Sequence, residues 1–248
     1  MIQLVTLDFW HTLFSDTQDS LRRAHALRLE GVRTILAEGG CRYDAAVLAS
    51  ADARAAAAFA AVWREHRDMA PEEQVRTFLG VLDPALPALL GPAALDRVAR
   101  AYQEPTLTHR PEITPAAVEA VHELRARGLI LGVISNTGRT PGRVLRQLLA
   151  DAGLLPCFDI LVFSDEAGVR KPAAAIFRRV LSETGVEPAR AVHVGDDAVS
   201  DVAGARGVGM GAIHYVPRAE DVAAADAVLR RFADLPALVA RLADPSPS

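Results

Sequence analysis

The stretch VTLDFWHTLF, Val5–Phe14, runs a short apolar strand into one carboxylate, Asp8, and then places an indole, Trp10, two residues later. Val5–Leu7, following the lead MIQL, has the continuous apolar character of a strand buried on both faces. What surrounds this strand decides the architecture. From Gln18 to about Tyr102 the chain is rich in alanine and leucine at helical spacing, punctuated by Gly39-Gly40 and Pro71. It reads as a bundle of about four helices without strands. The alanine run Ala55–Ala61 is a close-packed helix face, since alanine is the best helix former.

Beyond EPTLTHRPEITP the pattern alternates. A helix over Pro115–Arg127 precedes the strand LILGVIS, a helix near Thr140–Ala152 precedes FDILVFS, and a helix over Ala173–Thr184 precedes AVHVGD. A short helix near Asp201–Arg206 leads to MGAIHYV. Short apolar strands alternating with helices predict a parallel sheet covered on both faces. The helical block is then an insertion after the first strand, and the tail ADPSPS is expected to fray.

The 248 residues are half hydrophobic, enough for a sizeable core, and the net charge is −4. That balance gives no electrostatic case for nucleic acid or an anionic membrane. The two cysteines, Cys41 and Cys157, lie outside any metal-ligand spacing, so a reducing cytoplasm is the simplest location. No signal peptide is evident, and no apolar run is expected to span a bilayer.

In open parallel sheets, ligands bind beyond the carboxyl ends of the strands. Those ends supply Asp8, then Ser135-Asn136, then Asp196-Asp197, with Asp201 five residues after Asp196 and Lys171 at the expected start of a helix. Carboxylates converging within about 4–6 Å repel strongly at reduced dielectric, so either some are protonated or a cation sits among them. Mg²⁺ suits hard oxygen ligands and bridges to phosphate. Lys171 opposes the helix dipole at its position, which a local anion would explain. Lys171 and the Ser135 and Asn136 groups would meet a phosphate, and an anionic Asp8 could then attack phosphorus.

Four stretches taken in order carry a family resemblance: LVTLDFWHTLF with Asp8 and Thr12, GVISNTG with Ser135, GVRKPAAAIF with Lys171, and VHVGDDAVSDVAGARGVGM with Asp196 and Asp201. The set resembles the haloacid dehalogenase superfamily of hydrolases. The resemblance implies an α/β fold, a Rossmann-like parallel sheet in a three-layer core with an inserted all-helical cap domain. Core residues would be 1–16 and 104–248 and cap residues 17–103. It also implies catalysis by Asp8, Lys171 and Ser135, and substrate contact by Ser135, Asn136, Lys171, Trp10 and Thr12. Mg²⁺ would be held by Asp8, the Trp10 carbonyl, Asp196 and Asp201. The expected partner is a small phosphorylated metabolite, and the chain would act as a monomer or homodimer.

Trp10 departs from the phosphatase pattern. Phosphatases of this family usually place a second aspartate there as general acid/base, a function worth about 10²–10⁴ in rate. Dehalogenating members resemble this chain in having a non-acidic residue there. They differ in lacking the acidic fourth motif, which GDDAVSD keeps. The cluster weighs more than the indole, which favours a Mg²⁺-dependent phosphatase. A metal-free 2-haloacid dehalogenase using Asp8, and a weakly active or non-catalytic phosphate-binding protein, remain as alternatives. His11 is the nearest replacement acid, although strand alternation would turn it away from Asp8. Arg22, Arg23, Arg54 and Arg64 on the helical block read as solvated face, His193 as a residue of the buried sheet, and Gly207–Gly211 as a turn.

Overall fold

Every residue of strand β1 (Leu4–Leu7) is buried, as the apolar run requires. Val5 and Leu7 join one hydrophobic cluster and Leu4 joins another, so β1 lies in the middle of three layers. The computed structural model describes residues 1–218 and 224–243; the tail at 244–248, expected to fray, lies outside the described residues.

After Asp8 the chain turns sharply instead of continuing extended. The Phe9 carbonyl accepts from both Leu13 N and Phe14 N, at 3.0 and 2.9 Å, and the Phe9 and Phe14 rings stack 4.6 Å apart. Strand β2 (Phe14–Ser15) then pairs antiparallel with β3 (Glu112–Ile113). This two-stranded clasp joins the points where the chain leaves and re-enters the sheet region.

Between the two strands of the clasp lie α1 (Gln18–Glu38), α2 (Ala45–Arg64), α3 (Pro71–Leu82), the single turn α4 (Leu86–Leu89), α5 (Pro92–Gln103) and the single turn α6 (Pro105–Thr108). A capping box opens α1: Ser20 N donates to Thr17 Oγ1 and Thr17 N to Ser20 Oγ, at 3.0 and 2.9 Å. Pro71 and Pro92 open α3 and α5 at first positions where no amide donor is needed. These helices bury their own cluster, including Val32, Leu36, Leu48, Phe59, Phe78 and Tyr102. Helix α2 has the length and composition of a membrane span, contrary to the expectation of no such run. Alanine gives it that apolarity, and its buried face, Leu48, Ala51, Ala55 and Phe59, packs inside the helical block.

The sheet continues through α7 (Ala117–Ala126), β4 (Ile130–Ser135), α8 (Gly142–Asp151), β5 (Ile160–Phe163), the single turn α9 (Ser164–Ala167), α10 (Ala174–Thr184), β6 (Ala191–Gly195), a π-turn at Ala198–Ala203, α11 (Gly204–Arg206), β7 (Gly211–Tyr215), β8 (Ala227–Leu229) and α12 (Leu235–Ala243). The order is β5-β4-β1-β6-β7-β8, all parallel. Helices α7, α8 and α12 cover one face and α10 and α11 the other. The direction of winding reverses between β1 and β6, the switch point where a crevice opens beyond the strand ends. β8 and the β2–β3 clasp were not foreseen; at three and two residues they are too short for a periodic signal.

The helical block is also stitched to the segment preceding Lys171. Asp68 N donates to the Gly168 carbonyl and Arg170 N to the His66 carbonyl, at 3.1 and 2.9 Å. The Asp68 carboxylate accepts from Ser164 Oγ, Arg170 Nη1 and Trp63 Nε1, at 2.5, 2.5 and 2.8 Å.

Candidate active site

Register brings the expected carboxylates together. Leu7 pairs with Val133 on one side and Val194 on the other, so Asp8 emerges between the ends of β4 and β6. Its amide donates to the Val194 carbonyl at 2.8 Å. Asp8, Asp196 and Asp201 each present an oxygen within 4.8 Å of the others. A Cβ at Gly195 would lie 2.2 Å from Asp201 Cγ, so only glycine at the end of β6 lets Asp201 approach so closely.

Lys171 sits among them. It lies three residues ahead of α10 rather than at a helix start, and its anions are specific: Nζ donates to Asp8 Oδ1 and to Asp201 Oδ1, each at 2.5 Å. The Asn136 amide fixes its backbone, accepting from Lys171 N at 2.9 Å and donating to its carbonyl at 3.1 Å. Asn136 thus clamps the lysine, and it also lines the cavity where it was expected to touch substrate. Burial pulls the Lys171 pKa down, but Asp201 and Asp8 more than offset it and leave it above its usual value.

The two carboxylates flanking Lys171 differ. Burial alone would raise Asp201, but Lys171 and His193 hold it below the usual carboxylate range. Its Oδ1 accepts from Lys171 and from His193 Nε2 (3.1 Å), and its Oδ2 from Asp197 N (3.0 Å). Asp8 has one donor. Burial, with the like charges of Asp201 and Asp196, outweighs Lys171 and pushes it up to about 8. Asp196, half-buried, rises to about 6 through burial first and Asp201 second. Such a donor set fits a divalent cation: hard oxygens gathered beyond the ends of β1 and β6, two of them harder to ionise than a free carboxylate and eased by added positive charge. The three donors already on Asp201 favour a supporting place for it.

His193 was read only as a sheet residue. It is fully buried, and burial lowers its pKa. The neutral ring completes a relay, with Thr6 Oγ1 on Nδ1 at 2.8 Å and Nε2 directed at Asp201; a neutral ring that accepts from Thr6 donates to Asp201. The one clue to it was an ionisable residue inside an apolar strand.

The remaining candidates separate. A cavity of ≈ 190 Å³ is walled by Asp8, Trp10, His11, Asn136, Lys171, Asp196, Asp197, Ser200 and Asp201. Ser135 and Thr12, both fully buried, are not part of that wall. Thr12 Oγ1 has no partner among the described residues, and the Thr12 carbonyl anchors Thr114 Oγ1 at 2.6 Å. Asp197 caps the π-turn, accepting from Val199 N and Ser200 N at 3.0 and 2.6 Å. His11 departs from the alternation argument. The turn after Asp8 puts it at φ 57°, and it enters the cavity wall instead of pointing away.

A second cavity, ≈ 320 Å³, adjoins through Trp10 and His11 and is walled also by Arg28 and Arg139. Neither arginine was singled out in the sequence. Arg28 carries a legible signal, because the buried stripe of α1 reads Ala24, Arg28, Val32, Leu36, an arginine at four-residue spacing among apolar residues. Of the four arginines read as solvated face, Arg22 and Arg23 pair with Asp19 on the exposed side of α1.

The family model of haloacid dehalogenase-like hydrolases matches residues 2–209. Haloacid dehalogenase-like hydrolase domain-containing protein 3 of Xenopus laevis is 42% identical over 109 residues, 44% of this chain and 43% of the relative. A phosphoserine phosphatase of Thermus thermophilus is 38% identical over 99 residues, 40% and 39%. The chain therefore matches less than half the length of these curated relatives. A 2-haloacid dehalogenase from Pseudomonas syringae superposes with TM-score 0.72 at 27% identity, covering 97% of this chain and 99% of that one. With a family match over nearly the whole chain and the strand-end constellation in place, the protein belongs to the haloacid dehalogenase-like hydrolases.

Proposed function

We propose that the chain is a Mg²⁺-dependent phosphatase of a small phosphomonoester, working through an aspartyl-phosphate on Asp8, with residues 17–103 as a cap over a core formed by 1–16 and 104–248. The gathering of Asp8, Asp196 and Asp201 within 4.8 Å carries this reading, because cleavage of a carbon–halogen bond has no use for such a cluster. The phosphatase named among the relatives supports it.

Asp8, Asp196 and the Trp10 carbonyl would hold the ion, braced by Asp201. When bound, it supplies the positive charge that keeps Asp8 ionised and offsets the charge on phosphate. Lys171 pins Asp8 Oδ1, leaving Oδ2 to attack. An Asp8 oxygen bonds to phosphorus as the ester P–O bond breaks, and Lys171 offsets charge on the transferring group. Ser135, fully buried and outside the cavity wall with only a 3.5 Å reach to the Asn136 carbonyl, would have to turn its hydroxyl into the cavity to donate to a phosphate oxygen. The leaving oxygen takes its proton from solvent, because Trp10 has none to give. Water then hydrolyses the aspartyl-phosphate, restoring Asp8 and releasing phosphate.

The test is phosphate release from a panel of phosphomonoesters with Mg²⁺ and with EDTA, paired with thermal melting. Turnover should require the metal. Melting supplies an independent readout. The raised values of Asp8 and Asp196 mean that the folded state holds protons the unfolded chain releases. These two carboxylates therefore withdraw stability from the metal-free protein as pH climbs from about 4 towards 8. Mg²⁺ competes with those protons and should raise Tm more at pH 8 than at pH 5. Trp10 and the dehalogenase structural neighbour favour a second reading, cleavage of a small 2-haloacid by Asp8 without metal. Chloride release from 2-chloropropionate in EDTA would establish that reading and remove the first.

Trp10→Asp tests the missing acid. The variant should hydrolyse alkyl phosphates about 10²-fold faster while gaining little on aryl phosphates, whose leaving groups need no proton. Equal gains on both classes would show that proton donation was not what the indole cost.

A further inference from the structure

We propose that the cavity beside Trp10 binds a second anionic group on the leaving side of the substrate, a carboxylate or a second phosphate, held by Arg28 and Arg139. This rests on the phosphatase reading. Trp10 and His11 belong to both this cavity and the one containing Asp8, so a phosphoryl group at Asp8 projects its leaving group this way. Leu21 and Ala24 of α1 give the chamber an apolar side.

The charges on the other side do not cancel. Arg28 is 7% exposed, and its Nε donates to the Tyr102 carbonyl at 2.6 Å. Its guanidinium lies 5.3 Å from the Tyr102 ring centre. Its terminal nitrogens, the pair that would grip an oxyanion, have no acceptor among the described residues. Arg139, from the loop after β4, reaches into the helical block and donates to Asp52 Oδ2 at 3.0 Å. Asp52 also accepts from the Tyr102 hydroxyl at 3.0 Å. Asp52 thus pairs with Arg139, and Arg28 has no ion-pair partner among the described residues. Burial first and Arg139 second depress the Arg28 pKa, with Tyr102 and then Asp52 only partly opposing them. Asp16 borders the same cavity, where its carboxylate accepts from Ser20 Oγ at 3.4 Å. A buried guanidinium with idle donors beside a second one is costly without an anion, and an anionic substrate would supply it. Fork-like donors suit both a carboxylate and a phosphate.

Matched aryl esters test this, since their departure needs no acid: 4-hydroxymethylphenyl phosphate, 4-carboxyphenyl phosphate and hydroquinone bisphosphate. With Mg²⁺, kcat/KM should favour at least one anionic ester over the neutral one by about tenfold or more, chiefly through KM. Which anion wins separates carboxylate from phosphate. In Arg28→Met, which keeps a stem against Tyr102, the anionic-to-neutral ratio should fall towards one; Arg28→Lys should recover part of it. If Arg28→Met does not fold, Arg139→Gln is read the same way. Turnover without an anion preference, or a preference that survives the substitution, overturns this proposal alone. No turnover of any ester, with phenyl phosphate included, overturns the phosphatase reading and this proposal with it.

Discussion

Asp8→Asn should remove turnover, lowering kcat by at least about 10⁴-fold, while leaving the protein as stable as the parent or more so. The first half follows from covalent catalysis. An amide oxygen is a poor nucleophile towards phosphorus, and losing a nucleophile costs other hydrolases about 10⁶. The second half follows from the site itself. Asp8 is buried against Asp201 and Asp196, its pKa is pushed up to about 8, and its ionised form is therefore a burden on the fold. An amide of the same shape removes the charge and still accepts from Lys171, which keeps Asp201. The stability that the parent loses between about pH 4 and 8 should shrink in the variant, because the group responsible no longer titrates. Single-turnover assays and melting curves at pH 5 and pH 8 check both halves. A variant that still turns over would remove Asp8 as nucleophile. A variant that melts well below the parent would mean that the Asp8–Lys171 pair stabilises the fold more than burial of its charge destabilises it.

Strand-end residues were legible because their signal is local. An apolar run, a carboxylate after it and the rule for parallel sheets are enough to bring Asp8 and Asp196 together before any coordinates are known, whereas Lys171 was flagged by its position against a helix dipole. Roles set by tertiary partners were less legible. Asn136 and Ser135 are neighbours at one strand end, and both were expected to touch substrate, Ser135 alone as a motif residue. Only the packing of the loop before α10 makes Asn136 the clamp on Lys171 and leaves Ser135 with a single long contact. The turn at His11 depends on Phe9 stacking on Phe14 and on the β2–β3 clasp, whose strands are too short to announce themselves. Arg28 interrupts an apolar stripe, and that interruption was readable. Arg139 was not, because its partner, Asp52, lies 87 residues away. Asp68 is similar: its carboxylate gathers Trp63 from its own neighbourhood, but also Ser164 and Arg170 from the sheet side. Long-range polar contacts of this kind leave no periodic trace.

Lys171→Met should be the most destabilising of these substitutions, by about 3–5 kcal/mol near neutral pH, and the loss should shrink in acid. The lysine is 4% exposed and gives one ammonium to two buried carboxylates. Removing one partner of a buried ion pair leaves the other charge uncompensated, which costs about that much. The sign of the pH dependence separates this explanation from a simple packing defect. In the parent, Asp201 is held below the usual carboxylate range by Lys171 and His193, so it contributes stability that fades as pH falls through its folded value. Without the lysine, burial dominates at Asp201 as it already does at Asp8, and both folded values lie above their unfolded ones. The contribution of Asp201 then reverses: stability is regained on acidification and lost as pH rises. Urea denaturation at pH 5 and pH 8 should therefore show a clearly larger deficit at pH 8, relative to the parent at the same pH. Mg²⁺ should recover part of the deficit at pH 8 by supplying positive charge to the same oxygens. An equal deficit at both pH values would place the lysine's contribution in the packing of its stem. The idea that two buried anions share one cation here would then have to be given up.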